Sequence, residues 1–229
     1  MKIYGMEKLS LVDYDGLCAC TLFTGACPFR CPYCHNAPLV LSQPSALDEK
    51  EIFAHLEKRR GVLDGVVISG GEPTINADLP EFIADIKSRF GYKIKLDTSG
   101  YNPDMLERLI SGKLIDYVAM DIKNSYENYD ITVGIENFDT SGIKKSVDIL
   151  KRGGVDYEFR TTLVAELHDR NDIVKMAEAA KGAPRYYLQK FTDSGNCIAS
   201  GLTVVPAEVA KEYLEIIRPH VCEAELRGY

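Results

Sequence analysis

At residues 26–36 the chain reads ACPFRCPYCHN, and its cysteines, Cys27, Cys31 and Cys34, follow the spacing C-x3-C-x2-C. Thiolates on so short a loop can converge on one metal centre, and they suit both zinc and iron–sulfur clusters. A closed structural zinc site needs four ligands. Three cysteines on a cubane cluster would instead leave one iron open to a ligand from outside the protein, so this stretch decides the interpretation.

Two other uses of these cysteines have to be weighed. Free cysteines often behave as small hydrophobes in a core, but Pro28, Arg30 and Pro32 make a core strand or helix a poor fit for this loop. A zinc ion could recruit His35 as its fourth ligand. Because His35 directly follows Cys34, and adjacent residues rarely both reach one tetrahedral ion, we favour an iron–sulfur cluster over zinc and over a thiol core.

Composition narrows the class of protein. The chain has 229 residues, 45% of them hydrophobic, which is enough for one sizeable core and predicts a single domain, residues 1–229. A formal net charge of −7 argues against a nucleic-acid partner, because phosphate binding requires a basic surface. No apolar run approaches membrane-spanning length, and residues 1–8 lack a signal-peptide core, so we expect no membrane partner and a cytoplasmic location.

Strand and helix patterns alternate along the chain. Strands are predicted at 19–24, 65–69, 92–98, 117–122, 157–164 and 186–191, and helices at 48–60, 78–90, 103–111, 140–153, 169–181 and 206–218. Strands separated by helices of this length indicate βαβ units and a parallel sheet. About six units predict an α/β fold, an incomplete (β/α)6 TIM-like barrel, with its site at the carboxyl ends of the strands.

Polar residues cluster at those strand ends. Residues 69–73 read SGGEP, in which two glycines let backbone amides approach a ligand and Glu72 can accept from an ammonium group, although an ordinary turn has the same composition. Asp121 and Lys123 share one strand face and could bind the charged ends of an amino acid or form a structural ion pair. The other strand ends carry Asp97, Thr98, Ser99, Arg160 and Gln189.

Together these motifs resemble those of radical S-adenosylmethionine (SAM) enzymes. More narrowly, they are similar to the activating enzymes of glycyl-radical proteins, in the anaerobic ribonucleoside-triphosphate reductase and pyruvate formate-lyase group. The chain departs from that family at Ala26, where glycine is usual, and at Asp15, where proline is frequent, and we expect small effects from both. The resemblance covers most of the chain and rests on residues 10–16, 22–27, 27–36, 70–73, 96–100 and 120–123.

The resemblance implies the roles of the site residues. The three cysteines would hold one [4Fe–4S] cluster, whose open iron would be chelated by the amino and carboxylate groups of SAM. Gly70, Gly71 and Glu72 would bind the methionyl ammonium group, Lys123 would meet the carboxylate, and Arg160 would stabilise the bound cofactor nearby.

The same resemblance assigns the rest of the cofactor and a further ion. Ser99 and Asp121 would line the methionine and ribose region, Tyr33 would lie against the adenine, and Gln189 would lie near the nucleoside. Activases of this kind can also hold a monovalent cation. The matching groups here would be Asp97, Thr98 and Asp121.

The implied reaction begins when a reduced cluster gives one electron to SAM, which breaks into methionine and a 5′-deoxyadenosyl radical. In activases this radical takes hydrogen from a backbone glycine of a glycyl-radical enzyme, here expected to be anaerobic ribonucleotide reductase, with a flavodoxin or ferredoxin type electron donor. Two alternatives stay open: a radical SAM enzyme acting on a small molecule or peptide, and a non-catalytic zinc or electron-transfer protein. Loops 124–139 and 193–201 could cover a partner segment or be solvated connectors.

The remaining cysteines are expected to be thiols. Cys18 and Cys20 share a face of the first predicted strand and are expected in the core. Cys197 is expected to be an idle thiol in a loop, and Cys222 a packing residue. Together these four residues do not form the many-cysteine C-terminal segment that would bind extra clusters, so we predict a single cluster.

Overall fold

The computed structural model describes residues 1–42, 44–193 and 195–229, and within them one sheet of eight strands runs in chain order from edge to edge. The first two strands pair antiparallel, and every later pair of neighbours is parallel. The strands are β1 (Ile3–Ser10), β2 (Ala19–Thr24), β3 (Gly65–Gly70), β4 (Lys93–Thr98), β5 (Tyr117–Asp121), β6 (Asp156–Leu163), β7 (Arg185–Lys190) and β8 (Glu223–Arg227).

Helices connect successive parallel strands, as the alternating pattern predicts. Six of them correspond to the predicted helices, and two short ones, α1 and α5, lie in stretches where none is predicted. The helices are α1 (Ala37–Leu41), α2 (Glu49–Lys58), α3 (Leu79–Phe90), α4 (Pro103–Ser111), α5 (Tyr129–Val133), α6 (Ser141–Lys151), α7 (Arg170–Ala179) and α8 (Ala207–Ile217).

The predicted α/β partial barrel is confirmed, but the sheet has two more strands than the six predicted. Both extra strands, β1 and β8, are edge strands with neighbours on one side only. The sequence of β8, EAELR, has three charged residues in five, and β1 is only partly buried along most of its length. Edge strands of this kind lack the continuous apolar run that identifies a buried parallel strand. In the described part of the chain β1 and β8 do not pair, so the barrel is open.

Side-chain alternation gives the sheet an apolar outer face and a polar inner face. In β3, Val66 and Ile68 are fully buried and belong to the same hydrophobic cluster as Ile83 and Ile86 of α3. The inner face of the neighbouring strands carries charged and polar side chains instead, such as Lys95. Since successive residues of a strand point to opposite faces, the inward residues of β4 to β7 that lie toward the carboxyl ends of the strands form a polar surface. They include Lys95, Asp97, Asp121, Arg160, Thr162 and Gln189.

The carboxyl ends of the parallel strands meet at one rim of the open barrel, where the loops are long. The loop between β5 and α6 contains α5, and the loop after β2 contains the cysteines. No helix in the described ranges has both the length and the apolar character needed to cross a bilayer.

Candidate functional site

A cavity of about 330 Å³ opens at this rim, and the three cysteines form part of its wall. The inner face of the sheet forms the opposite wall through β3 to β7. All the predicted site residues line this cavity except Glu72. Residues that lie between Cys27 and Gln189 in the sequence are therefore brought around one space.

The cysteine loop is held in shape by hydrogen bonds within the loop, from its backbone and from the Arg30 side chain. The amide of Cys34 donates to the carbonyl of Cys31 (3.0 Å), and the Arg30 guanidinium donates to the carbonyls of Cys27 (2.7 Å) and Phe29 (2.8 Å). Arg30 thus ties the residues between the first two cysteines into a compact turn.

Neighbouring loops fix the position of this turn over the sheet. The amide of Arg30 donates to the carbonyl of Val133 (2.8 Å), next to the end of α5, and the amide of Ala199 donates to the carbonyl of Pro32 (2.9 Å). The amide side chain of Asn36 donates to the carbonyl of Gly70 (3.0 Å). Loops 124–139 and 193–201, predicted to be either covers or connectors, therefore buttress the cysteine loop; Ser194 within the second lies outside the described residues.

The donor set fits an iron–sulfur cluster better than one metal ion. Among the described residues, no three His, Cys, Asp or Glu side chains converge on a point where a single ion could bind. A cubane cluster instead takes each thiolate on a different iron, so its cysteines line a cavity without meeting at a point. His35 is engaged elsewhere: its Nε2 lies 2.8 Å from the carbonyl of Thr192, and its ring stacks on Phe191. The zinc alternative with His35 as fourth ligand therefore has little geometric support.

Burial governs the protonation of the thiols. Burial raises the pKa of Cys27 to about 12 and that of Cys31 to about 11, while the Lys123 ammonium opposes the rise at both. A thiolate at these positions requires a strong local positive charge, which iron supplies when it displaces the thiol proton.

Gly70 and Gly71 are required because their backbone passes very close to the backbone of residues 24–26. A Cβ on Gly71 would lie 1.8 Å from the carbonyl oxygen of Ala26, and one on Gly70, whose φ is +116°, would lie 2.4 Å from the backbone of Thr24. The amide of Glu72 donates to that same Ala26 carbonyl (2.9 Å). The glycines were expected to let a ligand approach; the structure shows that they also let the 69–73 loop pack directly against the cysteine loop.

Glu72 is buried beside the cavity. Its side chain was predicted to accept from the ammonium group of SAM, yet the residue is 1% exposed and is not among the described residues lining the cavity. Oε1 accepts from the amide and hydroxyl of Thr74 (3.1 and 2.6 Å) and from the hydroxyl of Thr98 (2.7 Å), and Oε2 accepts from the amide of Ser99 (2.8 Å) and from its hydroxyl. With five donors, this carboxylate joins the 69–73 loop to the end of β4.

An alternating chain of charges crosses the inner face of the sheet. The Asp97 carboxylate lies 3.2 Å from the Lys95 ammonium and 3.3 Å from the Arg160 guanidinium. Arg160 also contacts Asp121 at 2.9 Å, and Asp121 contacts Lys123 at 2.9 Å. Each carboxylate therefore lies between two cations, and we call these five residues the ion chain.

The ion chain sets the charge states facing the cavity. Burial alone would raise the pKa of Asp121, but Arg160 and Lys123 lower it to about 2. Burial would likewise lower the pKa of Lys123, but Asp121 holds it well above its usual value. The Lys123 ammonium lies 5.9 Å from the ring centre of Tyr33, so a cation and an aromatic ring face the same space. This part of the site can bind an anionic group beside an aromatic one.

Five polar residues of the cavity wall were not predicted as site residues: His35, Asn36, Ser69, Thr162 and Lys190. Thr162 shares the inner face of β6 with Arg160, so strand alternation could have identified it. Asn36 bonds to Gly70 through space, a contact that no sequence pattern encodes.

The other cysteines fit expectation only in part. Cys20 is fully buried in the core, and burial raises its pKa to about 12. Cys18 and Cys197 are half-buried. Cys222 was predicted to be a packing residue, but it is exposed, because the strand it precedes is an edge strand.

Comparison with known proteins identifies the family. The Radical SAM superfamily matches residues 21–183. A Methanocaldococcus jannaschii protein named as a glycyl-radical enzyme activating enzyme is 36% identical over 193 residues, covering 82% of this chain and 79% of its own. The pyruvate formate-lyase-activating enzyme of Clostridium pasteurianum is 30% identical over 190 residues, covering 79% and 76%.

A solved structure supports the fold. Streptococcus suis SuiB bound to S-adenosylmethionine superposes with a TM-score of 0.65 at 14% identity, covering 91% of this chain and 52% of that chain, so this chain spans about half its length. At this identity the likeness shows the architecture only. From the family match and the identity to its relatives, this chain belongs to the Radical SAM superfamily.

Proposed function

We propose that this radical SAM enzyme is an activase that installs a glycyl radical on a partner enzyme. Enzymes of the superfamily use a [4Fe–4S] cluster and SAM as cofactors. The observation that carries the proposal is the convergence on one cavity of three cysteines, the Gly70-Gly71 backbone and four of the five residues of the ion chain, all but Lys95. Identity to a protein named as a glycyl-radical enzyme activating enzyme supports the choice of substrate.

Different residues of the cavity would bind the cluster and SAM. Cys27, Cys31 and Cys34 would hold the cluster, which when bound supplies the electron that cleaves SAM to methionine and a 5′-deoxyadenosyl radical. Lys123 would bind the methionyl carboxylate, because its ammonium faces the cavity and stays charged beside Asp121.

The remaining wall would orient the nucleoside. Tyr33 is almost fully buried and presents an aromatic surface to the cavity, which suits the adenine, and Gln189 offers amide hydrogen bonds from β7. Ser99 lies at the cavity end of β4, where we assign the methionine and ribose region. Apolar side chains around the cysteine loop, such as Phe29 at 2% exposure, would help to exclude water from a reactive radical.

Glycine is a reasonable target for a radical formed in such a site. It has no side chain, so its Cα can approach within contact distance, and the flanking amide groups stabilise the resulting radical. We propose anaerobic ribonucleotide reductase as the partner and a flavodoxin or ferredoxin type protein as the electron donor. The whole chain would act as one domain, because one buried hydrophobic cluster extends from Ile3 to Ala224.

The test is anaerobic incubation of the reconstituted, reduced protein with SAM and either anaerobic ribonucleotide reductase or pyruvate formate-lyase. We expect 5′-deoxyadenosine and a new organic radical signal with the reductase, and no radical when the acceptor glycine of the reductase is replaced by alanine. A radical on pyruvate formate-lyase alone would identify pyruvate formate-lyase as the partner in place of the reductase. 5′-Deoxyadenosine without a radical on either would favour a small-molecule or peptide substrate, and its absence would refute the proposal.

A further inference from the structure

The groups expected to hold a monovalent cation already have partners. Both oxygens of Asp121 are engaged, Oδ1 by Arg160 and Oδ2 by Lys123, each at 2.9 Å. The hydroxyl of Thr98 donates to Glu72 (2.7 Å) and accepts from the amide of Gly100 (3.0 Å). Neither side chain has an oxygen without a partner.

Asp97 is the remaining expected ligand, and its charge is also balanced. Its Oδ2 lies 3.3 Å from Arg160. Its Oδ1 is buried and accepts no hydrogen bond among the described residues, but the ammonium of Lys95 lies 3.2 Å away. Among the side-chain oxygens of these three described residues, Asp97 Oδ1 is thus the one that needs a cation, and Lys95 supplies it.

The Lys95 ammonium is buried among oxygen atoms, as a bound metal cation would be. The residue is 4% exposed, and its ammonium also donates to the backbone carbonyl of Asp13 at 2.5 Å. A carboxylate and a carbonyl oxygen are the ligands that hard cations take. An additional cation placed here would face three fixed positive charges, those of Lys95, Lys123 and Arg160, against two carboxylates in the ion chain.

We propose that the Lys95 ammonium takes the place of the monovalent cation, so that this enzyme binds SAM without one. Lys95 is then a positioning residue. It neutralises one oxygen of Asp97, so that Arg160 can bridge Asp97 and Asp121. Asp121 in turn orients Lys123. The proposal rests on the proposed SAM site but not on the identity of the partner.

The test compares three variants in potassium, sodium or choline chloride at equal ionic strength. Lys95→Ala leaves a void lined by the Asp13 and Asp97 oxygens, Lys95→Met removes the charge but fills the space, and Lys93→Ala is the control on the exposed start of β4. The readouts are the melting temperature of the cluster-free protein and the Kd for SAM of the reconstituted protein.

We expect the wild type and Lys93→Ala to give the same melting temperature and Kd in all three salts. In choline, Lys95→Ala should melt at a lower temperature than the wild type and bind SAM about tenfold more weakly, a typical coupling between linked groups. In potassium or sodium, both its melting temperature and its Kd for SAM should return to the wild-type values. Lys95→Met should stay weak in every salt.

Two sets of results would overturn the proposal. One is a wild type whose melting temperature or SAM affinity requires potassium or sodium. The other is a Lys95→Ala variant that matches the wild type in choline, or that no cation rescues. If Lys95→Ala does not fold, the wild type and Lys95→Met still test the proposal. A Lys95→Met protein that binds SAM with wild-type affinity would refute the role of the Lys95 charge. Melting of the cluster-free protein involves no partner, so these outcomes are independent of glycyl-radical formation.

Discussion

Replacing Gly71 with alanine tests whether the glycine loop and the cysteine loop form one unit. The added Cβ would lie 1.8 Å from the carbonyl oxygen of Ala26 and 2.7 Å from its carbonyl carbon. Ordinary contacts of a Cβ begin near 3.4 Å. Both neighbours are backbone atoms, so no side-chain rotation can relieve the clash, and one loop must move by roughly 1.5 Å.

The cost can be worked from two contributions. Overpacking of this kind costs about 1–3 kcal/mol. The displacement also breaks the hydrogen bond from the Glu72 amide to the Ala26 carbonyl, worth about 1 kcal/mol. The sum, about 2–4 kcal/mol, corresponds to a melting temperature lower by about 10 °C for a chain of this size.

The assay is thermal denaturation of the cluster-free protein, followed by iron analysis after anaerobic reconstitution. Gly142→Ala is the control, because that glycine lies in α6 and its Cβ would be 3.5 Å from the nearest atom; it should be neutral or stabilising. We expect Gly71→Ala to melt lower and to hold less iron. Wild-type stability and iron content in Gly71→Ala would refute the direct packing of the two loops.

Four further predictions follow from the site. Cys31→Ala should lose the iron and sulfide and the cleavage of SAM, whereas Cys222→Ser, at an exposed position, should keep both in metal analysis and product assays. Ala26→Gly should raise the free energy of unfolding by about 0.5–1 kcal/mol in denaturant titration, because Ala26 has a left-handed φ of +59° that glycine adopts more easily; an unchanged value would contradict this. Glu72→Gln should lower the melting temperature even without SAM, because an amide cannot accept from all five donors; weaker SAM binding at wild-type stability would instead support the predicted role of Glu72 as a ligand. Burial lowers the pKa of His168, so the unfolded chain binds its proton first and stability should fall as the pH drops below about 6.5; a wild-type melting temperature that is constant from pH 7 to 5 would contradict this.

Patterns with a strong local signal were predictable from the sequence. The buried parallel strands and their helices, the rim where the polar clusters meet, and the cysteine loop all follow from periodicity, spacing and resemblance. Inward alternation along β4 to β7 also explains why Asp97, Asp121, Arg160 and Gln189 face one cavity. The edge strands were missed because exposure on one side removes the apolar run by which strands are found.

Contacts through space could not be predicted in the same way. The sequence suggests that Glu72 is a ligand, but which donors saturate its carboxylate depends on where β4 ends. The departure at Ala26 was expected to have a small effect, since no ligand group is involved. Its positive φ shows that the departure is conformational, because the residue turns the chain from β2 into the cysteine loop.

Electron paramagnetic resonance can show whether the three cysteines hold a cluster with one iron left for SAM. The spectrum of the anaerobically reconstituted, reduced protein would be recorded with and without SAM labelled with ¹⁵N and ¹⁷O in its methionyl group. We predict a [4Fe–4S] signal that changes when SAM is added, with hyperfine coupling to the labelled atoms. A signal that SAM leaves unchanged, or a protein that binds zinc and no iron, would contradict the account.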